Sequence, residues 1–233
     1  MKKIIGLLLC LYVGSANAGL ISVFSDINSM NDSTSGRNQM LTNLLGSGSS
    51  VLVSKQNSAF YDTDFNGFFN SLSGVSSSFT AAEITAGMLS GIDLLFVNNG
   101  CCSGSGQPYS VSELSAIAGF VSLGGSLALL SEPCCGGDVV GMNGFLSGIG
   151  SSMSFGAHEY GGTTVINDTF LTSGVTGYSP SSFNQINGGI SAVEQGGYTA
   201  VAYEFVNVPE PSIIALLGLG LAGLGFARRR SQS

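Results

Sequence analysis

Along this 233-residue chain, short apolar runs alternate with stretches of serine, glycine and asparagine. Leu20 to Phe24 is apolar and β-branched and predicts a first strand. The polar segment Asp26 to Arg37 reads as the loop after it. A short helix is expected over Gln39 to Leu45, ended by the glycine and serine of Gly46 to Ser50. Ser50 to Ser54 predicts a second strand. Between Asp62 and Leu72, Phe65, Phe68, Phe69 and Leu72 recur at spacings that line one stripe of a capped helix. Ala81 to Leu89 reads as a short helix or turn. Ile92 to Asn98 is a nearly continuous apolar run, the signature of a strand buried on both faces. A loop follows from Asn99 to Pro108, and Ser110 or Ser112 then caps a helix through Val121. Glu113 lies in its first turn, where the helix dipole favours a negative charge. Leu114, Ile117, Ala118 and Val121 form its buried stripe. Gly124-Gly125 stops it, and Ser126 to Ser131 predicts another buried strand. Strand, helix, strand at this spacing is a right-handed crossover between parallel strands, so the fold class is α/β. Beyond Gly150 the pattern weakens: Ser152 to Phe155, Thr163 to Ile166 and Tyr198 to Phe205 read as strands. The last alternates weakly and is expected near a sheet edge.

The two ends of the chain have a different pattern. Lys2 and Lys3 precede an apolar stretch from Ile4 to Val13, and Ala16-Asn17-Ala18 is a small-x-small cleavage site. Residues 1–18 therefore read as a signal peptide, with the mature chain starting at Gly19 and Cys10 lost. This implies the Sec translocon and signal peptidase as partners. At the other end, Val208-Pro209-Glu210-Pro211 leads into an uncharged apolar run from Ser212 to Ala227, followed by Arg228-Arg229-Arg230. That run is apolar on every side, unlike an amphipathic core helix. As a helix rising about 1.5 Å per residue it would be roughly 24 Å long, short against a hydrocarbon core of about 30 Å. Arginines that snorkel to the headgroups shorten the requirement. They also hold their end in the cytoplasm, so the bulk of the chain lies across the membrane.

This tail resembles the PEP-CTERM protein-sorting signal of Gram-negative bacteria. The resemblance is carried by Pro209-Glu210-Pro211, the short span 212–227 and the basic tail 228–233, in that order. It implies recognition and cutting near the motif by a membrane-embedded exosortase. It further implies export across the inner membrane, a transient anchor, and a final place on the cell surface or in the exopolysaccharide of a biofilm matrix.

Between the two ends lies one expected domain, residues 19–207, long enough for a sizeable core. With Arg37 and Lys55 as its only basic residues against thirteen acids, this middle carries a net charge of −11. Nucleic acid is excluded as a partner, since its binding rests on cations meeting phosphates. The charge also disfavours adsorption of the folded domain to anionic lipid. The central strand–helix–strand unit resembles the class I glutamine amidotransferase-like superfamily, nearest its trehalose-utilisation-like branch. Ile92 to Asn98, Glu113, Leu114, Phe120-Val121, Gly124-Gly125 and Leu127 to Leu130 carry that likeness, with Phe170 to Val175 as a further match. It implies a flavodoxin-like three-layer sandwich with a mostly parallel sheet. In such folds sites lie beyond the carboxyl ends of the strands.

Candidate chemistry is sparse. Cys101-Cys102 and Cys134-Cys135 each follow a buried strand, and in an oxidising compartment an even set of cysteines predicts disulfides, here across the two loops. The pairing stays open. Adjacent cysteines lack the two-residue gap of a zinc knuckle, which argues against zinc with His158. A cysteine nucleophile is the sharper alternative. Gly100-Cys101-Cys102-Ser103-Gly104 has the form of a nucleophile elbow, with Cys102 or Cys134 as candidate nucleophile and His158-Glu159 as candidate partner pair. In the resembled family the elbow follows the strand that here is Ser126 to Ser131. That position holds Ser131-Glu132-Pro133, and the family's His-x-Glu spacing is absent. Asp62-x-Asp64-x-Asn66-Gly67 opens like a calcium loop, but Ser73 stands where the bidentate glutamate belongs, which leaves weak calcium binding or a simple helix cap. No other cofactor is indicated. The expectation is a non-catalytic binding or structural domain of the extracellular matrix. A cysteine-dependent hydrolase acting on glycan or amide, and a calcium-dependent adhesin, are the alternatives.

Overall fold

A computed structural model describes residues 19–32, 34–54, 64–101, 109–133 and 139–206. Strand β1 (Gly19–Phe24) alternates its buried side chains between two apolar layers, with Leu20 and Phe24 in one and Ile21 and Val23 in the other. Two helices, α1 (Ile27–Asp32) and α2 (Thr34–Leu45), follow it. The loop expected over Asp26 to Arg37 is therefore helical. Its few apolar residues, Ile27 and Met30, are fully buried, and burial overrides weak local propensity. Strand β2 (Ser50–Ser54) leads into α3 (Phe65–Ser71), where Phe65 and Phe69 are buried and Phe68 packs at the margin.

A serine-rich strand, β3 (Ser76–Thr80), pairs parallel to β2. Ala81 to Leu89 is turn rather than helix. Strand β4 (Leu94–Cys101), helix α4 (Val111–Ser122) and strand β5 (Ser126–Glu132) form the expected crossover. Ser110 caps α4 in a reciprocal box with Glu113. The Glu113 carboxylate, buried, also accepts the Ile84 backbone N–H at 2.9 Å and so ties the preceding turn to the helix. Helix α5 (Val139–Gly148) closes the parallel half.

The eight-stranded sheet has the order β3-β2-β4-β5-β1-β10-β9-β7, with β7 (Thr164–Ile166), β9 (Ile190–Gln195) and β10 (Tyr198–Val206) antiparallel. The parallel strands follow the flavodoxin order, with the chain's first strand in the last parallel position. Helices α1, α2 and α3 contribute to one apolar layer, α4 and α5 to the other, which makes a three-layer sandwich. Strand β10 lies between β1 and β9, not at an edge as its weak alternation suggested, because β9 and β7 extend the sheet beyond it. Strands β6 (Ser154–Tyr160) and β8 (Ser182–Asn187) form a separate antiparallel pair. Among the described residues no helix is long and apolar enough to cross a membrane. The signal peptide 1–18 and the apolar run 212–227 lie outside the described residues.

Candidate functional site

Buried polar residues gather at the carboxyl ends of the central strands: Ser25 and Asp26 after β1, Asn98 and Asn99 near the end of β4, Ser131 and Glu132 at the end of β5. Apolar strand residues precede them, so the change to polar side chains falls where the strands leave the core. Ser25 Oγ donates to the Ala200 carbonyl at 2.7 Å, and Asp26 Oδ2 accepts the Ser181 N–H at 2.7 Å. The first ties the end of β1 to β10, and the second holds the entrance to β8 over it. Asn99 Nδ2 donates to Ser131 Oγ at 3.2 Å, joining the ends of β4 and β5.

Glu132 is the centre of this end of the molecule, with a relative exposure of 1%. Its Oε2 accepts the Ile27 N–H at 3.1 Å, at the start of α1. Its Oε1 accepts the Ser182 hydroxyl at 3.3 Å and lies 3.4 Å from His158 Nε2. Ser182 Oγ is itself 3.2 Å from the same His158 Nε2. The three side chains come from β5, β6 and β8, so a long-range pairing builds the cluster. His158 is partly exposed, and the exposed ring of Tyr160 meets it edge-on at a centroid distance of 4.5 Å.

Chemically this is a closed hydrogen-bonded knot. A serine–histidine–acid relay divides the two ring nitrogens: one receives the nucleophile's proton, the other donates to the acid. Here the hydroxyl and the carboxylate both meet Nε2. The geometry fixes the ring against β5 and leaves its other nitrogen outside the cluster.

Sequence reasoning placed His158 beside Glu159. In β6 adjacent side chains point to opposite faces, and Glu159 Oε1 instead accepts Gln185 Nε2 at 2.6 Å. The acid that meets His158 is Glu132, the last residue of β5. Ser182 carried no sequence signal, since its role depends on the β6–β8 pairing. Cys101 is the last residue of β4, its backbone in register with Glu132. Cys102, Cys134, Cys135 and Asp62 lie outside the described residues.

Asp64 caps α3, its Oδ1 accepting the Gly67 N–H at 2.6 Å. A Cβ at Gly67 would sit 2.1 Å from Asp64 Oδ2, so a side chain there would force the capping carboxylate to move. Asn66, in the first turn of α3, has a buried Oδ1 without a hydrogen-bond partner. Among the described residues no group of three or more His, Cys, Asp and Glu is placed to hold a metal ion.

No curated protein matches the chain. Residues 207–230 match the PEP-CTERM protein-sorting motif, which spans Val208 to Pro211, the apolar run and Arg228 to Arg230. That tail makes the chain similar to exosortase substrates and identifies it as an exported protein sorted at the membrane by an exosortase.

Proposed function

We propose that residues 19–207 form the mature working domain, between a signal peptide (1–18) and the sorting signal (208–233), and that it serves the extracellular polysaccharide matrix as a non-catalytic binding or structural module. On this reading the domain has an amidotransferase-like scaffold that has kept the fold without the reaction. The observation that carries it is the Glu132 knot. The end of β5, where the resembled family places its nucleophile, holds a buried carboxylate already engaged with the Ile27 N–H, Ser182 and His158. A nucleophile needs a free base beside it, and this histidine meets hydroxyl and acid through one nitrogen. Disulfides among Cys101, Cys102, Cys134 and Cys135 would in addition withdraw every thiol from nucleophilic work.

The test uses the mature exported protein and the exopolysaccharide of its own host. Sedimentation with the polymer, without release of reducing ends or ammonia, is the expected outcome. Turnover that stops on alkylation of Cys102 or Cys134 would replace this reading with the cysteine hydrolase. Loss of thermal stability on chelation, restored as RT ln(1 + [L]/Kd) by calcium, would favour the calcium-dependent adhesin.

A further inference from the structure

Three aromatic rings cluster where the chain leaves the sheet. Phe205, the penultimate residue of β10, is 53% exposed, and Phe170 is 39% exposed. Tyr203, buried beneath them, meets Phe170 edge-on at 4.7 Å and Phe205 at 5.8 Å, while the Phe170 and Phe205 rings lie 5.9 Å apart. Ile190, the cross-strand partner of Tyr203, is also exposed and shares its face. Strand alternation puts Glu204 on the opposite face, where its carboxylate accepts the Ser152 N–H at 3.0 Å. The result is an apolar platform of neighbouring exposed side chains at the end of the domain.

The platform's position in the chain says what covers it. The apolar run begins at Ser212. At no more than about 3.6 Å per residue, the connection from Val206 spans at most about 20 Å. When the tail is in the bilayer, that tether keeps Phe205 within reach of the lipid headgroups. Phenylalanine and aliphatic side chains bury at the headgroup–acyl boundary when a segment lies in that plane.

We propose that Phe170, Phe205 and Ile190 form a foot that seats the domain on the lipid interface while the sorting tail is anchored. This rests on the membrane-associated sorting assigned above. Among the described residues Arg37 is the one basic side chain, and it is buried, so the foot offers lipid phosphates no cation. Docking is then apolar, and anionic lipid weakens it through the acidic domain. Release by exosortase removes the tether and leaves a seat too small to hold the domain alone.

The chain contains no tryptophan, so one introduced indole reports its surroundings without background. The full chain carrying Phe205→Trp is reconstituted into phosphatidylcholine vesicles with brominated acyl chains. Phe79→Trp, at an exposed position on β3 across the sheet, is the aqueous control. The expected result is blue-shifted, bromine-quenched emission from the Phe205→Trp chain and unquenched, iodide-sensitive emission from the control. Phe170→Trp is the second reporter and should follow Phe205→Trp. Replacing half the lipid by phosphatidylglycerol should reduce the quenching. If the chain floats with the vesicles but both reporters stay iodide-sensitive like the control, the foot is overturned while the anchored tail stands. A chain that does not float with the vesicles overturns both.

Discussion

Glu132 shows how much one side chain can hold. A buried carboxylate is tolerated only when its acceptors are used, and here the Ile27 N–H, the Ser182 hydroxyl and His158 use them. Glu132→Ala leaves buried donors without a partner, at about 1–3 kcal/mol for an unsatisfied group. For a domain of this size about 1 kcal/mol moves Tm by roughly 2–4 °C. Thermal unfolding by circular dichroism should therefore show a fall of several degrees for Glu132→Ala and a smaller one for Glu132→Gln, which keeps one acceptor oxygen. A wild-type melting curve for Glu132→Ala would mean that water replaces the carboxylate freely. Arg37 is a second buried charge, with NH1 donating to the Met30 carbonyl at 2.9 Å and the guanidinium 5.5 Å over the Phe65 ring. Burial lowers its pKa below the ordinary guanidinium range, with the charge interaction with Tyr178 acting the other way. A base whose folded pKa is lowered bears a constant penalty at lower pH, relieved only as pH rises through the folded value. An arginine stays protonated throughout the neutral range, so Arg37 titration adds no slope to stability there. Arg37→Met should still cost about 1–3 kcal/mol in urea unfolding at pH 7, because the Met30 carbonyl loses this donor.

Helices and strands divide by how much apolar signal each carries. Helix α2 packs its Gly36 against the Gly177 carbonyl, where an added Cβ would lie 2.0 Å from the oxygen. Gly→Ala inside a helix ordinarily gains about 1 kcal/mol, but overpacking against backbone costs about 1–3 kcal/mol. The contact is too short for a side-chain adjustment to relieve, so Gly36→Ala should lower the denaturation midpoint; a raised midpoint would show that the 170s segment moves aside. The same balance explains what could be read in advance. The strands β1, β2, β4 and β5 and the helices α3 and α4 were legible because their apolar residues repeat at the right period over enough length. Strand β3 was not, since Ser-Ser-Ser-Phe-Thr has almost no apolar content and pairs because the edge of β2 offers it a ladder from Ser50 to Ser54. Helix α1 rests on two apolar residues, and α5 hid Met142, Phe145 and Leu146 among glycines. Strands β8 and β9 went unpredicted for different reasons: β8 is largely polar and pairs with β6, distant in the chain, whereas β9 pairs with β10 across the two-residue Gly196-Gly197 turn, a hairpin signal that was there to be read. The candidate site followed suit: His158 was visible as a lone histidine and Glu132 as an acid ending an apolar strand. Ser182 became visible only through the pairing of β6 with β8.

At the scale of the whole molecule, the first and last strands of the domain are neighbours. Gly19 is the register partner of Val206, so the described domain begins and ends at the same edge of adjacent strands. An added Cβ at Gly19 would lie 2.0 Å from the Val121 carbonyl, so a side chain there would disturb the start of β1. The proposed signal-peptide cut after Ala18 and the sorting motif from 207 onward would bracket the paired strands without cutting into them. A cut that removed Gly19 or Val206 would shorten the β1–β10 ladder, whose bonds help close the antiparallel half onto the parallel one. On the proposed processing, each address would be removed with the sheet left whole. The intact mass of the exported protein should correspond to a chain that starts at Gly19 and stops between Asn207 and Pro211, or to that chain plus an attached group at its new end. Denaturing alkylation before reduction should add nothing to that mass, and alkylation after reduction should add four groups, one for each of Cys101, Cys102, Cys134 and Cys135. A product that still carries Met1 and Arg228 to Arg230 would contradict export and sorting together, whereas correct ends with alkylatable thiols would sink the disulfides alone and return the cysteine hydrolase to the front.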